Sequence, residues 1–379
     1  MAMVLEISAG LLLLAFTWSS VLSTLVLPRA QRGFGRVGIR VNKVTRSIFL
    51  AISKLASSYE RKDALLAPIG PVAVLAQLAL WLLLLGTAFV IMLVPYTRSV
   101  PDAIAQVGAA LFTLGQARSG AMTNDTIIIA AAASGFVVIA LQIAYLPSLY
   151  AAFNRRESLI AMLGSRAGEP SWGPEILIRH QLVDIIDALP DFYASWEQWA
   201  AEVSESHSSY PVLLLFRSPD PWSSWVLALL SVLDAAAMQL SLNPTTTSSQ
   251  ARLCLRMGYT ALRRVSGSLG WEFDPDPLPD GPLRLTEEEF ASAVALLQDS
   301  GFVTERTSEE AWPHFHGWRV NYEDLAYRWA DRILAPPAPW SGTRTRLHEP
   351  DVAPNRPRHR SPDGEPIYRR PDFGVRDTS

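Results

Sequence analysis

Apolar and polar positions follow two different rhythms along this chain. In the first 150 residues they form three long apolar runs, Val4 to Leu27, Pro71 to Val94 and Thr126 to Leu149, each 24 residues long. A helix needs roughly 20 residues to cross a hydrocarbon core ~30 Å thick. Backbone groups in lipid must pair within their own segment, so each run predicts a transmembrane α-helix. The first run carries Glu6, has no basic residue before it and lacks a small-x-small cleavage site, which favours a retained helix over a signal peptide. Between the first two runs, Ile48, Ile52, Leu55 and Tyr59 recur at helical spacing with Arg46, Ser53, Ser57 and Arg61 elsewhere on the wheel. That spacing predicts an amphipathic helix on the membrane surface.

After residue 150 the rhythm becomes that of soluble amphipathic helices. Pro174 opens GPEILIRHQLVDIIDAL, with Ile178, Leu182, Ile185 and Leu189 on one stripe; Pro190 ends or kinks it, and DFYASWEQWAAEV follows. Thr286 and Glu289 predict a capping box before EEFASAVALLQDS, with Gly301 near its end. Asn321 is placed to cap YEDLAYRWADRIL, which turns Leu325, Trp329 and Ile333 inward. Ser224 to Leu242 is apolar enough to span, but it contains Asp234 and precedes Arg252, Arg256, Arg263 and Arg264, so it is read as a buried core helix. From Ala335 the chain is rich in Pro and Arg and short of aliphatic residues, which predicts a disordered tail.

Charge sets the orientation. Nine basic residues lie between the first and second runs, from Arg29 to Lys62, against only Arg98 and Arg118 between the second and third. Arg155 and Arg156 follow the third run. The positive-inside rule then puts residues 29 to 66 and everything after 150 in the cytoplasm of a plasma-membrane protein, and the N-terminus and the 95 to 124 loop outside.

That outer loop is unusual. Ser99 and Pro101 mark a helix start, and DAIAQVGAALF is apolar yet only about three turns long, too short to span. Such a piece is expected to dip back into a protein-lined part of the membrane. The order helix, short helix, Gly-containing strip, helix over residues 72 to 152 resembles the two-helix pore module of potassium channels, including bacterial and two-pore-domain types. In that family a pore helix leads into a T-V-G-Y-G filter whose carbonyls replace the ion's hydration shell. By this resemblance Thr113, Leu114 and Gly115 match the first three filter positions, Gln116 stands in place of the Tyr, Ala117 in place of the second Gly, and Arg118 where an Asp commonly follows. Gly135 falls near the inner-helix hinge glycine, and Pro147 lies where gating kinks occur. Two departures matter: a left-handed Ala117 costs roughly 1–2 kcal/mol per subunit, and Arg118 on each subunit would slow cations at the outer mouth rather than forbid them. HSSYPVLLLFRSPDPWSSW, in the later half, resembles a segment of uncharacterised bacterial membrane proteins.

Composition agrees with a membrane-embedded half. Mean hydropathy is +0.16, and charged residues are 18% of the chain, below the roughly 25% of soluble domains. A net charge of −3 argues against nucleic acid as a partner. The single cysteine, Cys254, cannot form an internal disulfide. No catalytic constellation, P-loop or dinucleotide fingerprint emerges, so no enzyme activity and no cofactor is expected. His314 and His316 alternate like metal ligands without a third, and DPDPLPDG (274 to 281) lacks the glycine and closing Glu of a calcium loop, so no metal site is expected. Arg256, Arg263 and Arg264 read as a solvated helix face.

The expectation is an all-α membrane protein with three transmembrane helices, a re-entrant pore helix and loop, and an α-helical cytoplasmic domain. Its parts are a first transmembrane helix (1–28), a basic segment with an interfacial helix (29–70), a pore-loop module (71–152), a helical domain (153–334) and a disordered tail (335–379). The resemblance implies passage of small monovalent cations, K⁺ first, through a homo-oligomer, a tetramer by analogy, in contact with membrane lipid. The alternative is a non-conducting oligomeric scaffold or sensor built on a pore-derived module.

Overall fold

In the computed structural model residues 1–26, 37–112 and 122–342 are described, and among them every regular element is helical. The chain divides into two compact units, Met1–Phe153 with Ser209–Phe216, and Asn154–Ser208 with the chain from Arg217 onward.

In the first unit, α1 (Ala2–Leu25) and α4 (Ile69–Leu93) pair along their lengths. Gly10 lies against Met92, and the Trp81 indole N–H donates to Ser20 Oγ at 3.1 Å, so the two run antiparallel. Both are long and apolar enough to cross a membrane, as is the third such helix, α6 (Met122–Ala167). The basic segment forms two helices, α2 (Val37–Ser53) and α3 (Tyr59–Leu66). Ile48 and Ile52 lie on α2, but Leu55 falls in the turn and Tyr59 opens α3, so the expected single helix is broken. The cause is Ser58, whose hydroxyl caps α3 by accepting from the Arg61 N–H.

α6 departs from expectation in length. The apolar run ends at Leu149, yet the helix continues to Ala167, 46 residues in all and ~69 Å at 1.5 Å per residue. The polar stretch after Leu149 does not stop it, because its last turns pack in the second unit: Trp199 Nε1 donates to the Arg156 carbonyl at 3.0 Å. The Arg156 side chain is buried, paired with Glu157, and donates to His207 Nε2 at 3.1 Å. Burial, and then the Arg156 charge, hold His207 well below the usual imidazole range, so it stays neutral.

The second unit is built round α9 (Trp225–Leu242), of which only Gln239 is not buried. Length and composition would let α9 span a membrane. Here protein covers it: α7 (Gly173–Leu182), α10 (Ser249–Ser268), α12 (Ser308–Arg319) and α13 (Glu323–Ile333) all pack on it. The predicted 173–189 helix is two pieces. α7 stops at Leu182, Asp184 turns with a φ of 59°, and α8 (Leu189–Ser209) begins at Leu189. Pro190 therefore sits in the first turn of α8, where its missing N–H costs nothing. α11 (Glu287–Asp299) carries the Thr286–Glu289 capping box, and Gly301 closes it with a φ of 90°. The Phe302 N–H reaches Leu297 O at 3.3 Å and the Gly301 N–H reaches Gln298 O at 2.8 Å, a Schellman pair.

Asn321 does not cap α13. Its amide donates to the Gly317 and Trp318 carbonyls at 3.0 and 3.3 Å, closing the end of α12 instead. Arg263 is not a solvated arginine either; it donates to Pro275 O at 2.8 Å and to Asn321 Oδ1 at 3.0 Å. Nor does the packed chain stop at Leu334: Ala335, Ala338, Trp340 and Ser341 are buried, because the Trp340 carbonyl is needed inside the unit.

What needs it is Arg319, fully buried on α12. Its guanidinium pairs with Asp234 of α9 and with Glu323 at 2.7 Å, and donates to Tyr327 Oη at 2.9 Å and Trp340 O at 2.8 Å. The Tyr322 hydroxyl donates to Asp234 Oδ1 at 2.8 Å, and the Arg284 and Leu285 N–H groups donate to Glu323. Burial raises the Asp234 carboxyl to about 6 against the pull of Arg319, so it is ionised at neutral pH. Removing one partner of a buried pair strands the other's charge, at roughly 3–5 kcal/mol. Arg319→Leu is therefore expected to destabilise the second unit by about that amount, read as a large fall in the melting temperature. Arg155→Leu, which removes a solvent-exposed pair with Glu202, should change stability by less than about 1 kcal/mol.

Candidate functional site

The site lies where α4 and α6 meet the short helix α5 (Val100–Leu111). α5 begins as the sequence predicts: Ser99 is its N-cap, accepting from the Asp102 N–H at 3.3 Å, and Pro101 stands in the first turn. Ala103, Val107, Ala110 and Leu111 form its buried stripe. They join Trp81, Leu85, Phe89 and Leu93 of α4 and Ala131 and Val138 of α6 in one apolar core, which also takes Val21 of α1. Beside this stripe α5 is uncovered at Ile104, 55% exposed, and Phe112, just past its end, is 56% exposed.

The depth at which α5 stops is fixed by its last residue. A Cβ on Gly135 of α6 would lie 2.5 Å from the Leu111 carbonyl oxygen and 2.9 Å from its Cδ2; a Cβ on Gly86 of α4 would be 3.4 Å from Leu111 Cδ1. Gly135 is 13 residues into α6, ~20 Å from its start, and Gly86 is 7 residues from the end of α4, ~10 Å back from it. α5 therefore ends well inside the lengths of both long helices. Its negative dipole end, roughly half an elementary charge, and the Leu111 carbonyl sit at that level.

Of the residues singled out from sequence, Thr113, Leu114, Gly115, Gln116, Ala117 and Arg118 lie outside the described residues, directly after α5. Gly135 is buried and receives the α5 terminus, so its missing side chain serves close packing. Pro147 is exposed within α6, which runs on through it; its ring removes the backbone bond to the Ile143 carbonyl. Gln142, buried on α6, has an Oε1 with no hydrogen-bond partner.

Sequence reasoning missed one part of this unit. Ser209–Phe216, assigned to the helical domain, packs with the first unit. Pro211–Leu215 forms a 3₁₀ turn whose Val212 and Leu213, with Phe216, meet Ala73 and Val74 of α4 and Tyr145, Leu149 and Ala152 of α6. Tyr210 stacks edge-on to Tyr145 at 5.5 Å, and Phe216 lies 5.7 and 5.6 Å from Tyr150 and Phe153. The apolar YPVLLLF was its signal, but nothing local says what it will touch.

His314 and His316 are not brought together. They lie two apart on α12, so their side chains diverge by about 160°; His314 is exposed, and His316 Nδ1 meets Pro279 O at 2.7 Å. The alternation that suggested ligation assumed an extended strand, whereas Thr307 and Glu310 cap this stretch as helix. Among the described residues no group of three His, Cys, Asp or Glu side chains could hold a metal ion.

The packing role of Gly135 is testable. Gly135→Ala pushes a methyl into the Leu111 carbonyl and should lower stability by about 1–3 kcal/mol, the usual cost of overpacking. Gly108→Ala, on the same helix as Leu111 and with open space at its Cβ, should instead leave stability unchanged or raise it by about 0.5–1 kcal/mol. Thermal melts of the detergent-solubilised protein compare the two, and a neutral Gly135→Ala would remove the packing argument. No known family, curated protein or solved structure matches this chain.

Proposed function

We propose that α4, α5 and α6 are a pore-loop module which, assembled from several copies of the chain, passes small monovalent cations, K⁺ first, across the plasma membrane. The observation that carries this reading is the seat of Leu111 beside Gly135 and Gly86. A helix of 12 residues that stops part-way between two span-length neighbours has the layout of a re-entrant segment. Its carbonyl end carries negative partial charge at a level where lipid alone would offer a cation nothing. Copies arranged round an axis would aim several such ends at one point. The exposed Ile104 and Phe112 face supplies an apolar surface for that assembly.

In this reading Thr113, Leu114 and Gly115 present carbonyl oxygens to the ion, while Gln116, Ala117 and Arg118 shape the outer mouth. These roles come from the resemblance to potassium channels. Pro147 lowers the cost of bending α6 below the Gly135 contact. α1, α4 and α6 are the three spans, α9 stays in a cytoplasmic second unit, and the 95–124 loop faces out.

The test is flux through the purified full chain in liposomes with K⁺, Na⁺ and Cl⁻ gradients. Cation flux is expected, and Gly115→Val should abolish it without changing insertion or oligomer size, because valine cannot follow a filter glycine's backbone. Arg118→Asp should raise cation conductance several-fold at low salt, an effect that shrinks as ionic strength rises. Topology is checked in cells with Val100→Cys and Leu278→Cys, of which only the first should react with an impermeant reagent added outside. Correct assembly with no flux in any variant would favour the scaffold reading.

A further inference from the structure

α2 carries an apolar stripe that begins as internal packing and then loses its cover. Val37, Val41 and Thr45 are buried, and α2 packs on α4. On the same side of the helix Val44, between Val41 and Thr45, is already 58% exposed; Ile48 and Ile52, one and two turns past it, are 53% and 40% exposed, and Leu55 beyond them is 86% exposed. Arg40 and Lys43, both exposed, lie about 80° and 140° round the helix from Ile48, on the same side of the stripe. No acidic residue occurs from Val37 to Tyr59. At the first two turns of α4 the apolar surface is uncovered as well, at Val72 and Leu75.

An apolar stripe flanked by cations alone fits one kind of partner. Acyl chains would cover Val44, Ile48, Ile52 and Leu55, and phosphate headgroups would meet Arg40 and Lys43, whose long stems let the charges stay at the water boundary. A soluble protein partner would more often answer this stripe with its own apolar groove and carboxylates. Continuity with a span-length helix argues for lipid, because the uncovered sides of α4 are themselves surfaces for lipid.

We propose that α2 is a recognition surface for anionic phospholipid at the membrane–water interface, with Ile48 as its central immersed residue and Arg40 and Lys43 as its headgroup contacts. This needs the chain to be membrane-embedded but does not need it to conduct ions.

The test places the full chain in nanodiscs of phosphatidylcholine with and without phosphatidylglycerol. A bimane on Ile48→Cys reports which lipid sits there, through quenching by brominated phosphatidylglycerol against brominated phosphatidylcholine; Cys254 is buried and stays unlabelled. Quenching should favour the anionic lipid, and Arg40→Gln and Lys43→Gln should each reduce that preference about fivefold. The preference should also weaken with salt. A nitroxide at Ile48→Cys should be reached by oxygen but not by a water-soluble nickel chelate, and one at Ser47→Cys by the chelate. Equal quenching by the two lipids, unmoved by the charge variants, would overturn the proposal. So would spin–spin broadening between Ile48→Cys labels without lipid quenching, which would assign the stripe to a second copy of the chain.

Discussion

The carbonyl of Leu111 rests where α6 presents Gly135 instead of a side chain, and the arrangement of the first unit follows from that contact. A methyl group at Gly135 would occupy the space of the oxygen, so the terminus of α5 can reach this depth only because that position is bare. Once it is there, the buried stripe of α5 has one register in which Ala103 and Val107 face the Trp81, Leu85 and Phe89 side of α4. Trp81 in turn fixes α1 through Ser20. A chain of small steric choices thus sets four helices, and the polar end of the shortest is left well inside the unit.

The second unit solves the opposite problem. Its central helix is apolar enough to prefer lipid, but Asp234 on it is answered by a guanidinium from α12 and a hydroxyl from Tyr322. The hydrogen bonds of Arg319 tie together three parts of the chain: Asp234 on α9, Glu323 and Tyr327 on α13, and the Trp340 carbonyl beyond it. Such a cluster adds little net stability compared with apolar packing, yet it tolerates few alternative arrangements.

Much of this was legible in the sequence where the cause was local. The apolar runs, the Ser99 and Thr286 caps and the glycine after α11 follow from a few adjacent residues. Where the cause was remote, the sequence was silent. Arg319 and Asp234 are 85 positions apart, so neither announces the other. The continuation of α6 past Leu149 depends on contacts such as that of Trp199 with the Arg156 carbonyl, although Pro147 and the polar residues after it suggest an end. Asn321 looked like a start signal for α13 because the same side chain can serve either helix terminus; only the facing carbonyls of Gly317 and Trp318 decide. For the candidate site, the short helix was readable; Gly135 was read as a hinge, and its close approach to the Leu111 carbonyl was not.

The return of Ser209–Phe216 to the first unit means that the backbone passes between the two units three times, after Phe153, Ser208 and Phe216. Neither unit can then be isolated by a single cut. A chain ended after Phe153 would leave Ala73, Val74 and Leu149 without Val212, Leu213 and Phe216, and the remaining half would carry an apolar turn with nothing to bury it. The two units are interleaved in sequence, so they must be inherited, exchanged or lost together.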